Sequence, residues 1–379
     1  MGSQSAPSQI AVLQVLRAIA ALTVVFGHAQ HDALVSAMRA GQAFTRNHAL
    51  PWGAGVDLFF VISGFIMVHA SERLFGREGA ARAFMLRRLI RIVPLYWLLA
   101  TAYLILATQF GREANRPDFS WGEIAASYLF WPMDLFRDGH PRPFYTLGWT
   151  LNYEMFFYVL FAPALFLPRE KAVWAVTGAL LALVTLGAIL PGLPLALEFW
   201  AKPVVLEFVA GMGIAMAFRR GIRLPRGAQL ILLVLAFVIL LADPMGAATK
   251  PENWITPNDW QRLACWGVPA ALIMAALILS PAVERRAESA PARFWVMLGD
   301  ASYALYLAHP FVIVALRKLW LAIGLHETLG FWPLVALAMA LSIVLALIIH
   351  RLVERPITQV LTENLVQPRL PSAGNASSR

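Results

Sequence analysis

IAVLQVLRAIAALTVVFGHA, residues 10–29, is a run of Ala, Val, Leu, Ile and Phe interrupted by few polar groups. About 20 mainly apolar residues in helical conformation cross the hydrocarbon core of a bilayer. The preceding nine residues, MGSQSAPSQ, contain neither Lys nor Arg. A cleaved secretory signal needs a cationic start and a shorter apolar stretch, so residues 10–29 are expected to be a retained span.

Working outward, nine further runs of similar character follow: 54–71, 91–110, 147–167, 172–190, 200–218, 227–243, 263–281, 299–318 and 330–350. The expected fold class is therefore an all-α integral membrane protein of about ten transmembrane helices. The fifth, seventh and tenth runs are almost wholly Leu, Val, Ala and Ile and are expected to face lipid. Composition agrees: 59% of the 379 residues are hydrophobic, 14% are charged and the mean hydropathy is +0.64. Soluble domains carry about 25% charged residues.

The net charge of +9 does not imply a nucleic-acid partner, because the basic residues sit in short connections between apolar runs. The richer set of connections includes Arg73, Arg77, Arg82, Arg169, Lys171, Arg219, Arg220, Arg223, Arg226, Arg285, Arg286, Arg293, Arg351 and Arg355. By the positive-inside rule both termini are expected in the cytoplasm. The expected organisation is an N-terminal tail 1–9, a membrane domain 10–355 and a cytoplasmic tail 356–379 whose last residues, QPRLPSAGNASSR, are polar and expected to be disordered. The longest opposite connection, about 111–146, holds WGEIAASYLFWPM (121–133), expected to lie along or dip into the interface. One cysteine, Cys265, excludes an intramolecular disulfide and a cysteine metal site. No metal is expected.

Charged groups inside spans cost about 2.5–3.5 kcal/mol each on insertion scales and are read first as functional. Arg17 and His28 are eleven residues apart, three helical turns to within about 20°, so they share a helix face about 16 Å apart along the axis. The second span opens GVDLFFVISGF (55–65) with Asp57, and the fourth contains LGWTLNYEMFFY (147–158) with Glu154. With Glu207 of the sixth span, these residues are expected at the depth of His28. An imidazole beside carboxylates is equipment for general base catalysis. The bland alternatives are a snorkelling Arg17, an interfacial His28 and helix–helix hydrogen bonds from the carboxylates, the reading favoured for Glu207.

At the other end of the third span, MLRRLIRIVPLYW (85–97) presents Arg87, Arg88 and Arg91. These suit either inside-positive anchoring or a clamp on the phosphates of a cytosolic donor. His309 lies within the ninth span before Pro310, where it is either a site residue or a partner for a freed carbonyl. Ser63, Trp149, Asn152 and Tyr153 complete the candidate substrate-contacting set.

QVLRAIAALTVVFGHA, GVDLFFVISGFIM, RRLIRIVPLYWL, GWTLNYEMFFY, LEFVAGMGIA and LGDASYALYLAHPF, in that order over about 10–355, resemble the acyltransferase-3 family of membrane acyltransferases, closest to its exopolysaccharide-production (ExoZ-type) branch. The resemblance implies ten core spans in a bacterial inner membrane and transfer of an acyl group, commonly acetyl from acetyl-CoA, to hydroxyls of cell-envelope glycans. It matches the family's essential Arg-X10-His pattern to Arg17 and His28. It matches the Phe-rich motif to Phe59, Phe60, Ser63 and Gly64, the basic entrance to Arg87, Arg88 and Arg91, and Trp-Thr-Leu-x-x-Glu to Trp149, Thr150, Leu151 and Glu154. A fused periplasmic esterase-like domain found in some members is expected to be missing.

The expected mechanism has His28 as base, oriented by Asp57 or Glu154, with an acyl-His intermediate as the competing version. Acyl-CoA is a co-substrate and no permanently bound cofactor is expected. Partners are a glycan or lipid-linked glycan acceptor, membrane lipid and the polysaccharide-synthesis machinery. The rival from another class is a proton-coupled transporter or flippase, which would consume no acyl donor.

Overall fold

The computed structural model describes residues 10–110, 119–244, 259–283 and 289–366. The tails 1–9 and 367–379 and Arg112, Arg116, Lys250, Arg285 and Arg286 lie outside the described residues. Every regular element among the described residues is helical. In chain order they are α1 Ala11–Arg39, α2 Gly55–Ala70, α3 Ala80–Phe110, α4 Trp121–Tyr128, α5 Trp149–Ala164, α6 Arg169–Ile189, α7 Leu195–Trp200 and α8 Leu206–Arg219. There follow α9 Arg226–Ala242, α10 Asp259–Ile278, α11 Ala290–Asp300, α12 Ser302–Ala322, α13 Leu325–Leu329, α14 Trp332–Ile349 and α15 Arg355–Leu365.

Among the described residues, seven helical stretches are long and apolar enough to cross a membrane: α1, α2 with the helical turn before it from Trp52, α3, α6, α10, α12 and α14. The other intervals read as spans hold the shorter helices α5, α8 and α9, of 16, 14 and 17 residues. Bare apolar side chains such as Trp174, Ile189, Leu230, Ile231 and Leu241 face outward. A soluble surface would not leave so many large apolar groups uncovered, whereas lipid accepts them.

Two helices run further than the hydropathy suggests. α1 continues to Arg39, ten residues beyond the expected end, because Ala33 and Ala37 pack fully buried against Trp320 and Val335. α3 begins at Ala80 rather than 91, so its arginines belong to a continuous helix. α1 stands at the centre, against α2, α11, α12 and α14.

The closest pairing is α2 with α8. A Cβ on Gly64 would lie 2.1 Å from the carbonyl oxygen of Phe208, and one on Gly211 would lie 2.0 Å from that of Val61. These two backbones touch only because both positions lack side chains, the small-residue solution to helix packing in lipid. That contact fixes α2, which carries Asp57 and Ser63.

Beyond the end of α2, Glu72 accepts hydrogen bonds from Arg169 and pairs with Arg219, joining the ends of three helices. Burial pushes the Glu72 carboxyl up, but its hydrogen bonds with Arg169 and Arg219 outweigh this and hold it below the usual glutamate value. A depressed carboxylate adds stability above its unfolded value, and that stability is lost as pH falls through the folded value.

Gly64→Val or Gly211→Val should separate α2 from α8 and destabilise the protein by about 1–3 kcal/mol or more, read as a lower unfolding temperature in detergent; unchanged melting would refute the close approach. Glu72→Gln should lower melting near about pH 7 by the equivalent of about 1 kcal/mol or less, since the group is partly exposed. The deficit should begin to shrink as pH falls below the ordinary glutamate value of about 4.3 and vanish below the depressed folded value.

Candidate active site

Two of the cavities between the described helices are lined by the candidate residues. The larger, about 530 Å³, is lined among others by His28, Trp149, Tyr153, Arg262, Trp266 and Tyr306. The smaller, about 120 Å³, is lined by Arg17, Ser63, Arg88, Arg91, Glu154 and Tyr306 together with apolar neighbours. Arg17 and His28 share α1 as the eleven-residue spacing predicts, but each serves a different cavity.

His28 lies beside a second histidine. Its Nδ1 is 3.0 Å from the carbonyl oxygen of Val24 and 3.2 Å from Nε2 of His309. His309 Nδ1 in turn is 3.1 Å from the carbonyl oxygen of Leu305. A carbonyl only accepts, so the network assigns the proton of each ring to Nδ1. His309 Nε2 then accepts from His28 Nδ1–H, and the lone pair of His28 sits on Nε2. This pairing arises because α12 packs against α1, bringing together residues 281 positions apart.

Asp57 is fully buried and both of its oxygens accept from Arg262, Nε to Oδ1 at 2.9 Å and Nη2 to Oδ2 at 2.9 Å. The guanidinium carbon lies over the rings of both Trp149 and Trp266, 5.2 Å from each ring centre, a cation in contact with two π faces. Arg262 immediately precedes the π-turn Leu263–Gly267, an irregularity of the type that re-aims side chains at functional sites. Glu207 is buried against Gly267, where a Cβ would come within 2.6 Å of its Oε1.

Glu154 sits elsewhere. Its Oε1 accepts from Ser63 Oγ at 2.6 Å and from the Tyr158 hydroxyl. Ser63 is six residues along α2 from Asp57, about 9 Å deeper. The structure thus gathers His28 and the Asp57–Arg262 pair at one cavity and places Glu154 with the arginines of the other. Arg17 Nη1 donates to Gln14 Oε1 at 3.1 Å. Arg88 lies over the Phe84 and Tyr158 rings, at 5.4 and 5.9 Å. Three guanidinium groups against one carboxylate suit an anionic ligand. Arg87 is on the exposed side of α3.

The remaining candidates divide. Trp149 and Tyr153 line the histidine cavity, and the Tyr153 hydroxyl donates to the Phe199 carbonyl at 2.7 Å. Asn152 is buried on α5 without lining either cavity, and its side-chain atoms find no hydrogen-bond partner. Arg262, Trp266, Tyr306 and Gln14 were not singled out from the sequence. Only Arg262 left a trace there: a buried Asp57 demands a cation, and Arg262 begins an apolar run.

Removing one member of a buried ion pair is worse than removing both. Arg262→Met should destabilise the protein by about 3–5 kcal/mol, and adding Asp57→Leu should restore part of the loss in detergent melts. A single variant as stable as the double one would contradict the pairing.

Residues 10–351 match the family model described as an acyltransferase domain (Acyl_transf_3). The chain is 36% identical over 286 residues to the exopolysaccharide production protein ExoZ of Rhizobium meliloti, covering 74% of this chain and 83% of that protein. It is 26% identical over 323 residues to the acyltransferase MdmB of Streptomyces mycarofaciens, covering 79% and 77%. It is also 34% identical over 182 residues to protein 2 in the picA locus of Rhizobium radiobacter, covering 46% and 83%. No solved structure matches the chain. With the family model covering nearly its whole length and a multi-helix apolar body built around two polar cavities, the chain belongs to the acyltransferase-3 family and is a multi-pass membrane acyltransferase.

Proposed function

We propose that the protein transfers an acyl group, acetyl by preference, from cytosolic acyl-CoA to a hydroxyl of a cell-envelope or exopolysaccharide glycan. In this reading it crosses the bacterial inner membrane ten times with both termini in the cytoplasm. The observation that carries the proposal is the meeting of two polar cavities, one of them lined by His28, at a shared wall beside the His28–His309 pair. The arginine cavity, with Arg17, Arg88 and Arg91, suits the phosphates of an acyl-CoA. The histidine cavity is roomier, and its aromatic rings and hydrogen-bonding groups suit a polyhydroxylated acceptor. The naming of the Rhizobium meliloti relative as an exopolysaccharide production protein supports a glycan acceptor.

In the chemical step His28 Nε2 takes the proton of the acceptor hydroxyl. The oxygen adds to the thioester carbonyl, the C–O ester bond forms and the C–S bond breaks. The departing CoA thiolate receives that proton and leaves as the thiol. The imidazolium formed in between is steadied by His309 Nε2, which accepts from Nδ1–H. His309 therefore takes the orienting role, because the Asp57 oxygens are held by Arg262 and Glu154 lies at the level of Ser63. Asp57 contributes by fixing Arg262 against the cavity wall.

Membrane vesicles containing the protein should move label from [14C]acetyl-CoA into the envelope glycan fraction. His28→Ala should lower this by about 100-fold or more with the protein still folded. His309→Ala should lower kcat by roughly tenfold or more with little change in the KM for acetyl-CoA. Near-normal transfer by His28→Ala would sink the mechanism, and glycan movement without consumption of acetyl-CoA would favour a transporter.

A further inference from the structure

The two cavities share part of their walls: Val56 and Tyr306 line both. Both are buried, at 8% and 7% exposure, so the partition between the cavities is made of packed side chains. Tyr306 lies one helical turn before His309, with the two ring centres 6.3 Å apart. The partition therefore stands next to the histidine pair.

Both members of the wall are pinned by independent contacts. Val56 is followed directly by Asp57, whose carboxylate is gripped at two points by Arg262. It is preceded by Gly55, where a Cβ would come within 2.4 Å of the Ala20 carbonyl oxygen, so the start of α2 is pressed onto α1. The Tyr306 hydroxyl donates to the Leu147 carbonyl at 3.0 Å and lies 3.1 Å from Thr150 Oγ1. Its ring stands edge-on to Phe59, centroids 6.3 Å apart. Tyr306 cannot retreat without breaking a buried polar contact, and the backbone that carries Val56 cannot shift without breaking the Asp57–Arg262 pair or driving α2 into α1.

A donor held in the arginine cavity and an acceptor held in the histidine cavity can react only where the cavities meet. We infer that Val56 and Tyr306 form a rigid gauge that limits the length of the acyl group and selects acetyl over chains longer by one or two methylenes. This rests on the proposed donor and acceptor assignment. The step itself is unchanged: the acceptor C–O bond forms, the thioester C–S bond breaks, and the hydroxyl proton ends on the CoA sulfur. What the gauge sets is how much carbon can lie beside Val56 and Tyr306 while the carbonyl is within reach of the hydroxyl. In an apolar pocket one methylene is worth about 10–200-fold in discrimination.

The test uses vesicles containing the full chain and three probes, [14C]acetyl-, propionyl- and butyryl-CoA, with labelled ester in the glycan fraction as the readout. Val56→Ala removes two methyl groups from the wall and should raise the butyryl-to-acetyl ratio by roughly tenfold or more. Val56→Ile adds one carbon and should lower the propionyl-to-acetyl ratio. Tyr306→Phe keeps the ring but cuts both hydroxyl tethers, and should raise the butyryl ratio with no change in Val56. Ratios within about twofold of wild type in all folded variants, with acetyl transfer persisting, overturn the gauge. Failure of the wild type to use any of the three donors overturns the proposed donor instead, so the two failures are distinct.

Discussion

A carboxylate taken out of water inside a helical bundle must find a cation or lose its charge, and Asp57 finds Arg262. Much of the site follows from that pairing. The guanidinium is drawn to the first turn of α2, which brings the start of α10 and its π-turn beside α5. Trp149 and Trp266 each turn a ring face to it, and these rings become walls of the larger cavity. Val56 is held because its neighbour is held. One buried ion pair thus shapes a wall of the cavity, supports the partition and leaves the histidines to pair with each other.

A second constraint is the close approach of α2 to α8. Hydrophobic burial does not drive helix association in lipid, so contact area must come from shape. Gly64 and Gly211 supply it by letting backbone meet backbone. With α2 anchored along one side by glycine and at one end by Asp57, Ser63 is presented to Glu154 at a fixed depth. The smaller cavity therefore inherits its geometry from the same helix as the larger one.

Much of this was legible in the sequence because it is local. Apolar runs mark the helices, the spacing of Arg17 and His28 marks a shared face, and the residues of the smaller cavity lie in short recognisable strings. What depends on partners far apart in the chain was not legible. Asp57 and Arg262 are separated by 205 residues, and His28 and His309 by 281. Nothing in either neighbourhood names the other. Depth estimated from span boundaries was also too coarse to separate Glu154 from Asp57, because a few residues of error in a helix end equal the distance between two cavities.

The sharing of α1 by Arg17 and His28 has a mechanical consequence. One unbroken helix carries a residue of each cavity, so it acts as a ruler whose marks cannot slide. Substitution between the two marks alters packing, but insertion or deletion of one residue changes phase: everything beyond it turns by about 100° and shifts by about 1.5 Å. His28 would then leave His309 altogether. In this helix the quantity that matters most between the two residues is their number, more than their identity.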